Sequence, residues 1–184
     1  DVIRWMGYGR TFQDFKCNVH ISGRQGPAGI KHAVNNRLSP EARNCITIEN
    51  DENKWGIEHS LELVDTCALV LDIHHHWCRE GEYILPTDDR FARTEHLPAE
   101  FAHNIMPDMP TLLEAGYKKA KLRAHSDYYP NNTVNEWALQ FLDYADIMCE
   151  SKMKNLASIK LLGQYNKYVT TEAYAENEKV PFLE

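Results

Sequence analysis

Short apolar runs alternate with stretches of helical spacing along this chain. KCNVHIS (16–22) is the first run. A loop rich in glycine and proline follows, then helical spacing near residues 30–37 and a turn at SPEAR. CITIE (45–49) is the second run, and it leads into KWGIEHSLELVDT, whose apolar residues recur at helical intervals. CALVLD (67–72) is the third. The polar stretch REGEYILPTDDRFARTE reads as a long loop and precedes a helix predicted over residues 98–104. MPTLL (109–113) is a weaker fourth run. The helix TVNEWALQFLDYA, the run DIMCE (146–150) and the helix SKMKNLASIKLLGQY complete the alternation. Residues 170–184 are polar and read as a tail on the surface.

Alternating strands and helices predict an α/β protein with a parallel sheet. The strands are continuously apolar, as strands covered by helices on both faces are. A doubly wound sheet and a (β/α) barrel both fit that pattern. The ends of the runs separate them: the first carries His20 near its end, and Glu49 closes the second, Asp72 the third and Glu150 the last. In a barrel such ends converge on one mouth. The expectation is therefore a TIM-type (β/α) barrel. It is incomplete, because the chain has 184 residues and shows about five βα units, against ~250 residues for a full barrel. No Pro/Gly/Ser-rich linker divides it, so residues 1–184 read as one domain.

The formal net charge is −7, which argues against a strongly basic nucleic-acid binder. Bound cations reverse such a sign locally, so a phosphate-bearing ligand stays open. The five cysteines lack close CxxC spacing and read as reduced core thiols of an intracellular protein. No secretory leader and no apolar run near ~18 residues is read, so no membrane span is expected.

Carboxylates at buried strand ends repel one another and are costly to desolvate. They must be protonated, paired or neutralised. Taken singly, each has a plain structural reading. His20 reads as a strand-end histidine, Glu49 and Asp72 as helix caps, His74 to His76 as an exposed loop, and Glu150 as a partner of Lys152 or Lys154. Taken together, histidines mixed with carboxylates point to divalent cations, with zinc or manganese suiting that donor mixture. Two or three such ions form the clamp used in phosphoester hydrolysis.

The phrases LSPEARNCITIENDEN, LVLDIHHHW, RAHSDYY and DIMCESKMKNLASIKL carry a resemblance. In order and spacing they are similar to the UV damage endonuclease family, relatives of the endonuclease IV group of AP endonucleases. The resemblance runs to about Lys167. It implies a (β/α) barrel with up to three metal ions, manganese foremost, zinc or magnesium otherwise. It implies a DNA repair endonuclease that nicks the phosphodiester immediately 5′ to a UV photoproduct in double-stranded DNA. Glu49, Asp72 and Glu150 would be the catalytic metal-holding carboxylates, with Glu49 bridging two ions. His20 would bind the first ion, Asp72 and Glu150 the second, His75 and His125 the third. His74 and His76 would flank them.

Two departures stand out. The family pattern before HSDYY resembles Pro-Lys-x-His, whereas this chain has Thr111 and Leu113 where the lysine and a metal-binding histidine are expected. The family's first strands would also lie upstream of residue 1. The chain is then a fragment, is completed by a second chain, or is a degenerate barrel.

DNA contact falls to the basic loops, above all residues 118–123 beside His125. Lys118, Lys119, Lys121 and Arg123 are the phosphate-binding candidates. Tyr128 is the candidate for stacking. Two further readings remain open: a sugar isomerase or epimerase on a related metal barrel, and a noncatalytic remnant that binds DNA or a partner.

Overall fold

The computed structural model describes residues 1–92, 99–101 and 122–165. A four-residue helix α1 (Val2–Trp5) precedes β1 (Cys17–His20). Then come α2 (Gly26–Asn36), α3 (Pro40–Cys45), β2 (Ile46–Glu49) and α4 (Ile57–Leu61). β3 (Ala68–Asp72) runs without a break into α5 (Ile73–Glu80), followed by α6 (Asp89–Ala92) and β4 (Ala99–Phe101). After residue 122 come α7 (Asn132–Leu139), a 3-10 turn (Gln140–Asp143), β5 (Ile147–Cys149) and α8 (Lys154–Gln164).

The five strands form one sheet in the order β1-β2-β3-β4-β5, and every neighbouring pair is parallel. Each strand therefore lies beside the next in sequence, with helical connections between, as the alternation predicts. Among the described residues β1 and β5 pair with only one neighbour each, so no closed barrel is seen. All five residues of β3 are buried, in keeping with a strand covered on both faces. Ile48, Leu69, Leu71, Leu139, Phe141 and Leu161 belong to a single core, each at most 2% exposed. Burying such a side chain contributes roughly 1.5–3 kcal/mol.

Local chemistry sets the helix starts. Ser39 caps α3 by accepting from the Ala42 amide at 3.3 Å, and Pro40 fills the first turn, where its missing N–H costs nothing. Asn131 caps α7 in the same way, from the Val134 amide at 3.2 Å. Gly81 ends α5 in the left-handed region at φ +75°, which glycine adopts without strain.

Three expectations change. Residues 99–101 are a strand, where local spacing predicts a helix over 98–104. Ala99 pairs with both Leu71 and Ile147, so the segment fills the slot between β3 and β5; ladder pairing overrides the local preference. The histidine run is neither loop nor exposed, because Ile73–Glu80 is a helix that buries His74, His75 and His76. The long polar loop after it contains α6. The weaker run at 109–113, with Thr111 and Leu113, and the tail 170–184 lie outside the described residues. No helix among the described residues is long and apolar enough to cross a membrane. All five cysteines are free thiols.

Candidate metal centre

The register of β1 on β2 pairs His20 with Glu49 and Asn18 with Thr47. Because side chains alternate along a strand, these four share one face. Glu49 is only 2% exposed, although it is a carboxylate. Its Oε1 lies 3.4 Å from His20 Nε2 and 2.9 Å from His75 Nδ1. One ligand atom from each of His20, Glu49 and His75 falls within 4.8 Å of the others.

His75 reaches this point because β3 ends in Asp72 and α5 begins at once. Asp72 Oδ1 caps the helix by accepting from the His75 amide at 2.7 Å. The opposite oxygen, Oδ2, is buried, makes no hydrogen bond among the described residues, and sits 3.4 Å from His75 Nδ1. Asn50 locks the two strand ends together. Its Nδ2 donates to the Asp72 carbonyl at 3.0 Å, and its Oδ1 accepts from the Asp72 amide at 2.8 Å. The Asn50 carbonyl also lies 2.9 Å from His75 Nδ1.

Burial pushes the Asp72 carboxyl up to about 7; the His75 charge opposes that rise, and the charges of Glu49 and Glu150 add to it. For His75, burial acts downward, but Asp72 and Glu49 outweigh it and raise the imidazole to about 10. Two buried carboxylates thus share one imidazolium, and the cluster holds a proton that water would otherwise remove. A divalent cation in its place would neutralise both carboxylates. The donor set of imidazole nitrogens and carboxylate oxygens, with the orphaned Asp72 Oδ2 beside it, fits such an ion.

His125 and Glu150 form a second pair. His125 Nδ1 lies 2.8 Å from the Glu150 carbonyl oxygen, which can only accept. That fixes the tautomer and leaves Nε2 as the open nitrogen, 4.0 Å from Glu150 Oε2. The surrounding backbone is zipped together: Lys152 N donates to Ser126 O at 2.8 Å and Ser151 N to Tyr129 Oη at 3.0 Å. Among the described residues, neither member joins a cluster of three ligand atoms, so His75 is grouped with His20 and Glu49 and not with His125. Glu150 is nonetheless near enough for its charge to act on Asp72.

A second cluster shares His20 with Asp51 and Glu52. Asp51 Oδ2 already accepts from the Asn53 and Lys54 amides, at 3.1 and 2.7 Å. Glu52 faces two ways, with Oε2 3.8 Å from His75 Nε2 and Oε1 3.6 Å from Arg123 Nη1. Arg123 also donates to Asn53 Oδ1. Arg123 is therefore held at the rim by an acidic partner.

The flanking histidines do structural work. His74 Nε2 donates to the Leu122 carbonyl at 3.0 Å, and its ring stacks on Trp77 at 5.9 Å. Burial pulls His74 down to about 4, so it is neutral. His76 Nε2 lies 3.0 Å from Glu82 Oε1, and Arg90 holds the same oxygen at 2.8 Å. Tyr128 packs against the core, with Lys160 Nζ 4.8 Å above its ring. Lys118, Lys119 and Lys121 lie outside the described residues.

Asn18, Asn50 and Glu52 escape sequence reading. Asn18 carries a signal, since it stands two residues before His20 and alternation puts both on one strand face. Asn50 and Glu52 follow Glu49 by one and three residues, but their partners come from β3, α5 and residue 123, which spacing alone does not supply.

Asp72 offers a clean separation of its two tasks. Asn caps helices as well as Asp does. Asp72→Asn should keep α5 and the melting temperature while weakening manganese binding by at least about tenfold, a first-contact loss no smaller than that of an outer partner. Calorimetric titration beside a thermal melt measures both.

A parallel α/β sheet with imidazoles and carboxylates gathered at the carboxyl ends of its strands defines the class of protein. The chain belongs to the UV-endonuclease UvdE family, whose sequence profile matches residues 1–182. It is 27% identical over 160 residues to the UV DNA damage endonuclease of Bacillus cereus (strain ATCC 10987 / NRS 248), covering 80% of this chain and 47% of the relative. The enzyme of the same name from Bacillus thuringiensis subsp. konkukian (strain 97-27) matches at 27% identity over the same shares. That of Bacillus cereus (strain G9842) matches at 28% over 164 residues, again 80% and 47%. The chain thus spans about half the length of the curated relatives it matches.

Proposed function

We propose that this chain carries the metal centre of a DNA repair endonuclease that cleaves the phosphodiester bond 5′ to UV photoproducts. The observation that carries the reading is Glu49 Oε1, faced by His20 and His75 together, with the orphaned Asp72 Oδ2 alongside. The family and the relatives' name support the substrate class. The sequential order and common direction of the strands support an arc of a (β/α) barrel.

In this reading His20, Glu49, His75 and Asp72 hold a divalent cation, manganese foremost, and Glu150 with His125 holds a further one. When bound, such ions polarise a phosphate oxygen and acidify water. The protein supplies the rest. Asn50 and the Asp72 cap fix the strand ends against each other. The Glu150 carbonyl holds His125 Nδ1, so Nε2 is the atom left for an ion or a phosphate oxygen. Arg123, with Lys118, Lys119 and Lys121, contacts the DNA backbone.

Irradiated and unirradiated supercoiled DNA, each incubated with the protein and manganese, test the reading. Nicking confined to the irradiated sample is expected. Equal nicking of both, or of neither, overturns it. Arg123→Ala should weaken binding of irradiated and unirradiated duplex alike and reduce the salt slope of log affinity by about 1. Fluorescence anisotropy over a salt series reads this; an unchanged slope removes Arg123 from the interface.

A further inference from the structure

We infer that Asn18 is a positioning residue of the centre: it holds Glu49 so that one carboxylate oxygen faces the histidines. The inference rests on the metal reading above and assigns a role to a residue that binds no ion itself. Asn18 Nδ2 donates to Glu49 Oε2 at 2.6 Å. Its own orientation is fixed from behind, because the Thr47 hydroxyl donates to Asn18 Oδ1 at 3.1 Å. A hydroxyl donor at one end and a carboxylate acceptor at the other define which end of the amide carries the N–H groups. The chain of contacts thus runs from Thr47 through Asn18 to Glu49, across the β1–β2 ladder in which Asn18 and Thr47 are direct partners.

The geometry divides the two oxygens of Glu49. Oε2 is taken up by the amide, and Oε1 meets His20 Nε2 and His75 Nδ1. The donor is neutral, so it stabilises the ionised carboxylate without adding a positive charge that would repel a cation. Thr47 is fully buried and Asn18 half-buried, so the relay is shielded on the Thr47 side and set before any ion arrives. Outer partners of this kind typically change metal affinity by about 10–100-fold when removed.

The test compares the wild-type chain with Asn18→Leu, Asn18→Asp and Thr47→Val. Asn18→Leu removes the donor, and Asn18→Asp keeps the shape but places a second negative charge against Glu49. Thr47→Val leaves Asn18 in place and frees its orientation. Calorimetric manganese titration should show affinity about 10–100-fold weaker for Asn18→Leu, weaker still for Asn18→Asp, and intermediate for Thr47→Val. Melting temperatures of the metal-free variants should stay near that of the wild type.

A second readout needs no metal. The side-chain amide resonance of Asn18 should be shifted downfield in the metal-free wild type and collapse toward the free-amide position in Glu49→Leu, which has no acceptor. Wild-type protein that binds no manganese overturns the metal reading, and this inference with it. Wild-type binding matched by equal affinity in Asn18→Leu and Asn18→Asp overturns this inference alone. So does an affinity loss that only follows a fall in the metal-free melting temperature, or an amide resonance indifferent to Glu49.

Discussion

Glu49→Gln should abolish measurable manganese binding at the β2 strand end and lower nicking of irradiated DNA by on the order of 10³-fold, the equivalent of several kcal/mol of transition-state stabilisation. The reasoning begins with burial. Glu49 is 2% exposed, and a lone carboxylate that far from water is costly unless something of opposite charge answers it. Within reach are the raised His75 imidazole and the His20 ring, both on Oε1. Glutamine keeps the size of the side chain and its capacity to accept from Asn18, but it has no charge with which to hold a cation. His20, His75 and Asp72 remain, but without the Glu49 carboxylate between the two histidines the ligand set is incomplete. The far-ultraviolet spectrum should be unchanged, because Glu49 lies at the end of β2 and its backbone pairing does not depend on the side chain. Calorimetry and a nicking assay read the two losses. Manganese affinity kept within about tenfold would show that Glu49 is not a primary ligand.

The parts of this site that sequence discloses are those that follow from period and position. β1, β2 and β3 stand where short runs of strand length end in His20, Glu49 and Asp72. What sequence leaves open is everything decided by cross-strand partners. The helix that follows Asp72 is one example. Three histidines in a row read as loop by composition, yet Asp72 caps them and the aromatic ring of Trp77 packs on His74, so the run buries as a helix. The fourth strand is another. Residues 99–101 have no strand preference of their own and become extended because β3 and β5 both need a neighbour. The resemblance assigns His75 to a third ion with His125. The fold brings its Nδ1 to Glu49, a contact set by α5 starting at residue 73 that spacing alone does not disclose.

The charge in this cluster has a consequence for pH. Metal-free protein should lose about 2 kcal/mol of stability between pH 7 and pH 8.5, whereas manganese-saturated protein should not. The sign follows from His75. Its folded value is raised to about 10 by Asp72 and Glu49, which overcome burial, against about 6.5 for an unfolded histidine. A raised value contributes stability that is complete below about 6.5 and is lost as pH climbs through about 10. In the interval each pH unit removes about 1.4 kcal/mol, since the folded state keeps a proton the unfolded chain has shed. Asp72, raised to about 7 by burial, acts in the same direction, but most of its loss is complete by pH 7. His74 and His76 are lowered by burial, so their contribution is lost only as pH falls below about 6.5, outside this window. Cys67, pushed up to about 11 by burial, begins to matter only above about 8.5, where an unfolded thiol ionises. A cation competes with the same proton, so manganese affinity should rise over this range, and each ion bound near Glu49 should release about one proton. Denaturant melts with and without manganese measure the stability change. Titrations in buffers of different ionisation enthalpy measure the proton. His75→Gln should flatten the metal-free curve and abolish the release. A wild-type curve already flat from pH 7 to 8.5 would mean that His75 holds no extra proton, and the carboxylates around it would then have to be neutralised in some other way.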